Sequence, residues 1–441
     1  MSHRKKDYLL IKRLNNTFDM NIIIKLLTKC YNVWLYRIWY GQICRIFWNY
    51  FYIIFKYYVR WKGHRLQQKE KIRVLFVLAE LGTWKTENLY LAMRSHPRFE
   101  SLIGITESQE VPGSKPALRD YMELKGYKYY DLDKKGEDIS SINPDLLFYY
   151  KPYDGSYPAK HIFKRHLSAL PMSIVYGFNT MSTKMHSIWQ IGYYSWMIFV
   201  ENEIVADLNH KLIGKNANNV KVTGLPMQDR LCLPKEKFPN PWKDKKGRKR
   251  IIYAPHHSFK GTNGAGIEYA TFLEFGEFML EMAEKYHEKV YWAFKPHPTL
   301  YPKLLKKWGK EKTDAYYAKW EKMECSQVEL GEYVGLFKHS DAMIHDCSSF
   351  MIEYHFTKNP VLYLNLGGVK TDELNKFGLT AFELSYQAHS KEDIEQFIKN
   401  IIDGNDERMQ ERIDFYNQNL LPPNGKTACE NIIDNILNDK N

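Results

Sequence analysis

The chain has 441 residues and a formal net charge of +12, and its hydrophobic fraction of 44% supports buried cores. This length suffices for two ordinary domains and an extension. The charge is uneven: residues 1–69 hold 14 Lys/Arg against 2 Asp/Glu, while the remaining 372 residues carry 49 of each sign. Because the body of the chain is neutral, a nucleic-acid footprint over the whole fold is excluded, and no nucleic-acid partner is predicted.

Residues 1–70 are a basic, aromatic extension. Between Met20 and Trp61 no residue is acidic and 14 are aromatic. The longest uncharged run, Ile46–Phe55, is shorter than the roughly 18–20 residues of a spanning helix. Trp and Tyr favour the lipid headgroup zone, and Lys and Arg favour anionic lipid. We therefore predict interfacial helices that hold residues 1–66 on an anionic membrane, at the cytoplasmic face, as a peripheral or monotopic attachment. The alternative is a helical cap packed on the protein's own body.

Strand and helix patterns alternate from residue 71 onward. Ile72–Ala79 is a continuous apolar run, typical of a strand buried on both faces. This alternation predicts a Rossmann-like domain over 71–232, followed by a linker at 233–248 that is rich in Pro and charge. Its further strands are predicted at Leu102–Thr106, Tyr127–Leu132, Asp145–Tyr150, Ser173–Tyr176, Met197–Glu201 and Val220–Thr223.

The alternation repeats over 249–441, which we predict to be a second Rossmann-like domain. Helices are predicted at Tyr269–His287, Lys391–Asp403 and Asn431–Leu437, with a helical region over Lys303–Met323. The fold class is therefore α/β, with two doubly wound Rossmann-like domains facing a cleft in a GT-B-like architecture, preceded by the helical, membrane-associating extension. The strands of this half are predicted at Ile251–Ala254, Val290–Phe294, Ala342–His345 and Val361–Leu364.

One motif predicts an anion site. The strand Ala342–His345 runs into Asp346-Cys347-Ser348-Ser349, and a helix is predicted over Phe350–Phe356. The first N–H groups of a helix lack backbone partners and carry partial positive charge, which suits a phosphate. The alternative is plain helix capping by Asp346 and Ser348.

A second motif, Lys295-Pro296-His297-Pro298, follows the strand Val290–Phe294. Ligands of open α/β sheets bind at the carboxyl ends of strands, so Lys295, His297, Ser348 and Ser349 converge if their strands share one parallel sheet. A tandem pair, His256 and His257, also follows a strand and is open to three interpretations: phosphate binding, a general base, or a polar loop. The six cysteines show no C-x-x-C and no His/Cys spacing typical of zinc, so no metal site is predicted. No cofactor is predicted either.

These motifs resemble the CDP-glycerol glycerophosphotransferase family, the teichoic-acid primases and polymerases. That family typically shows a Lys-x-His-Pro element and then a Ser-Asp … Asp-Tyr-Ser-Ser … (Asp/Glu)-(Tyr/Phe) element. Here the counterparts are Lys295–Pro298 and Ser340–Tyr354. Two weaker elements agree: Gly224–Asp229 is similar to a Gly-x-Pro-(x)2-Asp segment, and Ile252–Pro255 resembles the first strand of the nucleotide domain. The resemblance covers roughly residues 170–440.

The resemblance implies a transferase that needs no metal. It would move glycerol-phosphate or ribitol-phosphate from a CDP-activated donor to a hydroxyl of a lipid-linked or glycan acceptor, in teichoic-acid-like or other cell-surface polysaccharide synthesis. Carried over to this chain, the donor phosphates would contact Lys295, His297, Ser348 and Ser349. Glu353 and Asp346 would lie at the ribose and the rest of the nucleotide.

The first half departs from the family at one element. The family carries Trp-His-Gly-Thr-Pro-(Leu/Met)-Lys, and the corresponding segment here is Ile174–Lys184, in which Gly177 and Lys184 match on the acceptor side but no His is present. The candidate bases that remain are His256, His257 and His186. Two alternative functions stay open: a GT-B glycosyltransferase that uses a nucleotide-sugar in capsule or lipopolysaccharide assembly, and a non-catalytic membrane-bound partner in such a pathway.

Overall fold

The computed structural model describes residues 42–151, 154–182, 194–213, 217–259 and 268–438. The chain divides into two compact units, the first of which is built from Met1–Gly177, Thr183–Met227 and Pro422–Asn441. The second is built from Phe178–Ser182 and Gln228–Leu421. The segment Phe178–Ser182 of the second unit therefore interrupts the first unit, and Pro422–Asn441 of the first unit follows the second. The sequence pattern, by contrast, predicts consecutive domains.

The first unit contains a sheet of seven parallel strands in the order β3-β2-β1-β4-β5-β6-β7. Six of the seven residues of its central strand β1 are buried, as expected of a strand covered on both faces. The fifth strand begins three residues before the predicted one, because Pro171 within it has no N–H and weakens the strand pattern. The strands are β1 Ile72–Leu78, β2 Phe99–Ile105, β3 Tyr130–Asp131, β4 Leu146–Tyr149, β5 Leu170–Ile174, β6 Met197–Val200 and β7 Val220–Val222.

The second unit contains a sheet of six parallel strands in the order β10-β9-β8-β11-β12-β13. The register places Ala254 opposite His345 and Tyr253 opposite Phe294, so β8, β9 and β11 end at the same edge. The strands are β8 Lys249–Ala254, β9 Val290–Phe294, β10 Ser326–Val328, β11 Ala342–His345, β12 Val361–Leu364 and β13 Tyr386–Ala388.

Helices connect the strands of both sheets, and the predicted α/β class with two doubly wound Rossmann-like domains is confirmed. The predicted helical region Lys303–Met323 is two helices, which meet at Gly309 with a φ of +81° that favours glycine. The α-helices are α1 Gln42–Gln67, α2 Glu87–Ser95, α3 Lys115–Lys125, α4 Ile139–Ile142, α5 Glu203–Ile213, α6 Pro226–Cys232, α7 Phe272–Lys285, α8 Leu300–Trp308, α9 Lys310–Lys322, α10 Val334–Lys338, α11 Ser348–Glu353, α12 Lys376–Leu384, α13 Lys391–Asp403, α14 Met409–Phe415 and α15 Ala428–Asn438.

The sheet of the second unit is covered by apolar side chains on both faces. Alternate residues of β8 supply opposite sides, because successive strand side chains point to opposite faces. Ile251 and Tyr253 join a core with Trp320, and Ile252 and Ala254 join a second core. Both faces of the sheet are therefore covered by apolar side chains, and the polar side chains that can bind a ligand lie at the carboxyl ends of the strands.

The carboxyl-terminal half of α1 packs on the first unit. Phe55 and Tyr58 are each 1% exposed, and the ring of Phe55 lies 5.6 Å from that of Tyr194. Gly63 permits close approach, because a Cβ there would lie 2.6 Å from the ring of Trp196. This half of the helix is therefore a cap on the protein's own body. Within the described residues no helix combines the length and the apolar character needed to cross a bilayer.

The last helix of the chain completes the first unit. In α15 the side-chain amide of Asn431 donates to the carbonyl of Thr223 at 3.4 Å, and the amide of Gln67 donates to the carbonyl of Ile436 at 3.4 Å. The Phe178–Ser182 segment, by contrast, belongs to the second unit, where Met181 forms an antiparallel bridge with Leu374. These pairings explain why the two units do not follow the order of the chain.

We expect Phe55→Ala to lower the free energy of unfolding of the first unit by about 3–5 kcal/mol, because it empties a fully buried aromatic site. His64→Ala on the exposed face of the same helix is the matched control and should change it by less than about 0.5 kcal/mol. Urea denaturation followed by tryptophan fluorescence measures both. Equal stabilities of the two variants would contradict the packing of α1 on the first unit.

Candidate functional site

The candidate site lies at the carboxyl edge of the second sheet, where the strand order reverses between β8 and β11. At such a switch point the loops after adjacent strands diverge and leave a crevice for a ligand. The loop after β8 carries His256 and His257, the loop after β9 carries Lys295 and His297, and the segment after β11 runs from Asp346 to Ser349. The predicted motifs therefore converge on one edge of one parallel sheet.

Asp346 joins two of these loops. One of its carboxylate oxygens accepts the backbone N–H of His256 at 2.5 Å, and the other accepts the N–H and the hydroxyl of Thr271 at 2.6 and 2.9 Å. Burial raises the pKa of Asp346 to about 6, although these three donors act in the opposite direction. At neutral pH the group is a buried carboxylate that ties the loop after β8 and the start of α7 to β11.

The loop after β9 is held against the loop after β8. The backbone N–H of His297 donates to the carbonyl of Pro255 at 3.0 Å, and the ring of His297 lies 4.1 Å from that of His257. Lys295 is 8% exposed, and its ammonium donates to the carbonyl of Gly331 at 3.0 Å. Burial lowers the pKa of Lys295, and the nearby acidic side chains of Glu329 and others oppose that effect. Lys295 is thus a mostly buried cation that borders the site.

Three histidine rings form the centre of the site. The rings of His256 and His257 are 4.3 Å apart, and those of His256 and His297 are 5.0 Å apart. Burial is the largest cause that lowers their pKa values, to about 2 for His256, about 4 for His257 and about 3 for His297. The positive charge of Lys303 lowers all three further. The rings are therefore neutral at physiological pH, and each offers one N–H and one lone pair.

The helix α11 begins directly after β11. Ser348 and Ser349 are its first two residues, half-buried and exposed respectively, and Cys347 is its N-cap residue. Cys347 is buried, and burial raises the pKa of its thiol, so that it stays neutral and fills space. The start of α11, with its two serines, therefore follows directly on the carboxyl end of β11.

Asp346 and Glu353, the residues assigned to the ribose and nucleotide, are both buried, at 0% and 1% exposure. The two oxygens of Asp346 already accept hydrogen bonds from protein groups, which gives this residue a structural role. Glu353 is the last residue of α11, and its charge acts on Lys295. Contact of either residue with a nucleotide stays a prediction.

On the acceptor side, Gly177 is the last residue of the first segment of the first unit. A Cβ at Gly177 would meet no atom within 4 Å, so the space around it does not require a glycine. Lys184 and His186 lie outside the described residues. The acceptor-side assignments stay predictions.

A cavity of about 580 Å³ opens on the β10 side of the His297 loop. Its volume falls within the range of small-molecule sites. Its lining is largely proline and aromatic, with Tyr301 and Tyr317 as the two rings. The site therefore has apolar surface beside its polar centre.

The sequence interpretation missed the residues that orient the histidines. The hydroxyl of Ser258 lies 2.8 Å from Nδ1 of His256, and the hydroxyl of Thr299 lies 2.9 Å from Nδ1 of His297. Both follow a pattern in which a hydroxyl residue stands two positions after the histidine, a signal present in the sequence. Thr271, by contrast, is 75 residues from Asp346, and no local pattern links them.

We expect the stability of the protein to rise with pH through the weakly acidic range, in part because of His345. Burial lowers its pKa to about 3, whereas an unfolded histidine titrates near about 6.5. Between these values the unfolded chain binds a proton that the native state does not, so stability is lost as pH falls below about 6.5. His345→Gln should make this slope shallower by about 1.4 kcal/mol per pH unit, as measured by urea denaturation at several pH values.

Tyr363→Phe is the control for this prediction. It removes the hydroxyl that donates to the backbone carbonyl of Asp346 at 3.1 Å and leaves His345 in place. It should lower the stability without changing the slope. A slope in His345→Gln equal to that of the unmodified protein would show that His345 takes up its proton in the folded state as readily as in the unfolded one.

Sequence and structure comparisons with known proteins bear on the family and on the fold of the chain. No curated protein shows a significant sequence match to the chain. A solved structure of the wall teichoic acid polymerase TagF is similar with a TM-score of 0.55 and 15% identity, covering 95% of this chain and 98% of that one. A putative UDP-N-acetylglucosamine 2-epimerase from Listeria monocytogenes has a TM-score of 0.55 and 16% identity, covering 85% and 98%. The enzyme of that name from Neisseria meningitidis, bound to UDP-GlcNAc, has a TM-score of 0.52 and 17% identity, covering 83% and 100%.

At such identities these structures show the fold alone, and they confirm the GT-B-like class. The family follows from sequence. The model of the CDP-glycerol:poly(glycerophosphate) glycerophosphotransferase family matches residues 176–438, more than half of the chain. That range contains every described residue of the candidate site in the second unit. The resemblance seen in the motifs is thereby confirmed, and the chain belongs to the CDP-glycerol:poly(glycerophosphate) glycerophosphotransferase family.

Proposed function

We propose that the protein transfers glycerol-phosphate, or a related polyol-phosphate, from a CDP-activated donor to a hydroxyl of a lipid-linked or glycan acceptor in teichoic-acid-like synthesis. One observation carries the proposal. In a chain of this family, the loops that hold Lys295 and His297 and the helix start at Ser348 and Ser349 meet at the switch point of one parallel sheet. The donor pyrophosphate would occupy that edge.

Catalysis of such a transfer depends on positioning and on stabilising charge at the phosphates. The two serine hydroxyls and the first N–H groups of α11 are donors for phosphate oxygens. His297 is neutral, and its Nδ1 accepts the N–H of Thr299 at 3.2 Å, so its Nε2–H is the donor that remains. Lys295, on the same loop, is mostly buried and adds a positive charge. The site would therefore hold the diphosphate through hydrogen bonds and through the positive charges of Lys295 and of Lys303, which acts on all three histidines.

The general base would take the proton of the acceptor hydroxyl as it attacks phosphorus, while CMP leaves. His256 and His257 are the candidates on the described side of the site. Burial lowers the pKa of both, to about 2 and about 4, which makes them weak bases at neutral pH. Of the two, His257 has the higher pKa and is the better candidate. Bond formation at phosphorus would then precede full proton transfer, as suits a loose transition state.

A nucleotide-sugar glycosyltransferase is the second candidate, favoured by the fold shared with an epimerase that was solved with UDP-GlcNAc. A donor screen separates the two functions. Release of CMP from CDP-glycerol or CDP-ribitol in the presence of a lipid-linked acceptor is the expected outcome. Release of UDP or GDP from nucleotide-sugars would support the second candidate instead. Binding of donors without turnover with any acceptor would favour a non-catalytic partner.

We expect Ser349→Ala to lower kcat for CMP release by about 100-fold, because it removes a donor from the phosphate oxygens. His297→Gln should abolish transfer while the circular dichroism spectrum stays unchanged. Ser95→Ala, an exposed serine on α2 in the first unit, is the matched control and should keep full activity. Unchanged activity in both site variants would refute the phosphate assignment.

We also propose that the extension attaches the protein to the cytoplasmic face of the membrane. Residues 1–41 carry eight Lys/Arg, and the buried Phe55 and Tyr58 of α1 belong to the first unit instead. A chain that lacks residues 1–41 should bind phosphatidylglycerol vesicles far more weakly in a sedimentation assay, because each basic residue near an anionic surface contributes about 1 kcal/mol. Its thermal unfolding should be unchanged. Vesicle binding equal to that of the full chain would refute the attachment.

A further inference from the structure

Hydrogen bonds to Nδ1 hold the rings of His256 and His297 in one tautomer. Nδ1 of His256 accepts the backbone N–H of Ser258 at 3.3 Å, and Nδ1 of His297 accepts the backbone N–H of Thr299 at 3.2 Å. A backbone N–H can only donate, so the lone pair of each ring is on Nδ1. Because both rings are neutral, the one ring proton of each is on Nε2.

The hydroxyl of Ser258 fixes the ring of His256 further. Its oxygen accepts the backbone N–H of Tyr269 at 3.0 Å and lies 2.8 Å from Nδ1 of His256. Since Nδ1 is an acceptor, the hydroxyl hydrogen of Ser258 is the donor of this second bond. Ser258 is fully buried, so water does not compete for these bonds. The orientation of the His256 ring is therefore set by a chain of donors that begins at Tyr269.

Nε2 of both rings is left for a ligand. Neither His256 nor His297 is fully buried, and among the described residues no hydrogen bond involves Nε2 of either ring. The centres of the two rings lie 5.0 Å apart. An N–H···O bond spans about 2.9 Å, so two N–H groups on rings this close can reach oxygens of the same or of neighbouring phosphate groups.

The charges that act on the two rings are positive. The ammonium of Lys303 lowers the pKa of both His256 and His297 in addition to burial, and the ammonium of Lys295 acts on His297. Positive charge disfavours the imidazolium form and attracts an anion. The surroundings of the two Nε2–H groups therefore favour an anionic ligand over a cation.

His257 differs from His256 in this respect. Its Nδ1 is buried and has no hydrogen-bond partner among the residues that the structure describes, so no donor there fixes the ring proton on one nitrogen. A general base needs a lone pair that faces the hydroxyl it deprotonates. His256 has already given its lone pair to Ser258, and it is therefore unsuited to be the base. His257 stays the candidate.

We propose that His256 binds the donor diphosphate as a hydrogen-bond donor, and that Nε2–H of His256 and Nε2–H of His297 form one two-donor subsite for phosphate oxygens. The identity of the ligand rests on the proposed function, whereas the geometry requires only an anion with two oxygens in reach. The tandem histidines thereby have different roles, with His256 as a binding residue and His257 as the candidate base. Neutral N–H donors leave the positive charge of the site to its lysines.

Nuclear magnetic resonance of the full-length protein with isotopically labelled histidine tests the tautomers. Correlating the ring nitrogens with the carbon-bound ring protons distinguishes Nε2–H from Nδ1–H rings, and His256→Ala and His297→Ala assign the two signals. Both rings should be Nε2–H tautomers at neutral pH. The exposed His287 is the opposite reference, because its Nδ1 lies 2.8 Å from the carbonyl of Glu284 and must carry a proton to bond it. An Nδ1–H tautomer at His256 would overturn the proposal.

Binding of inorganic pyrophosphate, measured by isothermal titration calorimetry, tests the ligand. His256→Ala should weaken it by about 10–100-fold, the loss expected for a hydrogen bond to a charged group, and His297→Ala by a similar factor. His256→Ala keeps the backbone N–H that donates to Asp346, so the loop after β8 stays attached to β11. His287→Ala removes an exposed histidine of the same unit and is the matched control, with the affinity of the unmodified protein expected.

Circular dichroism should show the same folded state for all three variants. Equal pyrophosphate affinity in His256→Ala and His287→Ala would contradict the subsite, and a loss of kcat alone in His256→Ala would assign that residue to the base instead. Neither the resonance spectra nor the titration uses a CDP donor or an acceptor. Pyrophosphate binding that depends on His256, in a protein that releases no CMP from any donor, would support the subsite and refute the transferase.

Discussion

The buried carboxylate of Asp346 is the interaction on which the candidate site depends. It stands at the end of β11 and accepts hydrogen bonds from the loop after β8 and from the start of α7. Removing a charge from water is costly, and here the cost is offset by three donors within 2.9 Å. The sheet by itself only brings the strand ends to a common edge. The hydrogen bonds of Asp346 fix the position of the loop that carries His256 and His257 relative to the start of α11.

Around that carboxylate the histidines and the cysteine are neutral, and the ammonium of Lys295 donates one hydrogen bond, to the carbonyl of Gly331. The three histidines are uncharged because burial and their neighbours disfavour the imidazolium form. Cys347 stays a thiol for the same reason. In the proposed function, a doubly charged pyrophosphate would therefore meet hydrogen-bond donors and the ammonium groups of Lys295 and Lys303. Such a site favours a ligand whose charge it can neutralise with few fixed groups.

Much of this site could be predicted from local sequence patterns. The strands Val290–Phe294, Ala342–His345 and Val361–Leu364 have the predicted bounds, because each is a short apolar run bounded by turn residues. The Lys295–Pro298 and Ser348–Ser349 motifs follow directly from those strands. The hydrogen bonds from Thr271 to Asp346 and the burial of Asp346 and Glu353 could not be predicted, because they depend on residues far apart in the chain. The packing of the carboxyl-terminal half of α1 on the first unit was one of two interpretations of the sequence, and only the contacts decided between them.

The family, the two parallel α/β domains and the set of residues at one strand edge can all be read from the amino-acid sequence. Those properties follow from the periodicity of apolar residues and from motifs such as Lys295–Pro298 and Ser340–Tyr354. The contact of His297 with His256 and His257 depends on the folded chain, because it requires β8 and β9 to be neighbours in the sheet. The fold also sets the protonation state of those rings, because burial depends on the whole fold and not on the spacing of histidines along the chain.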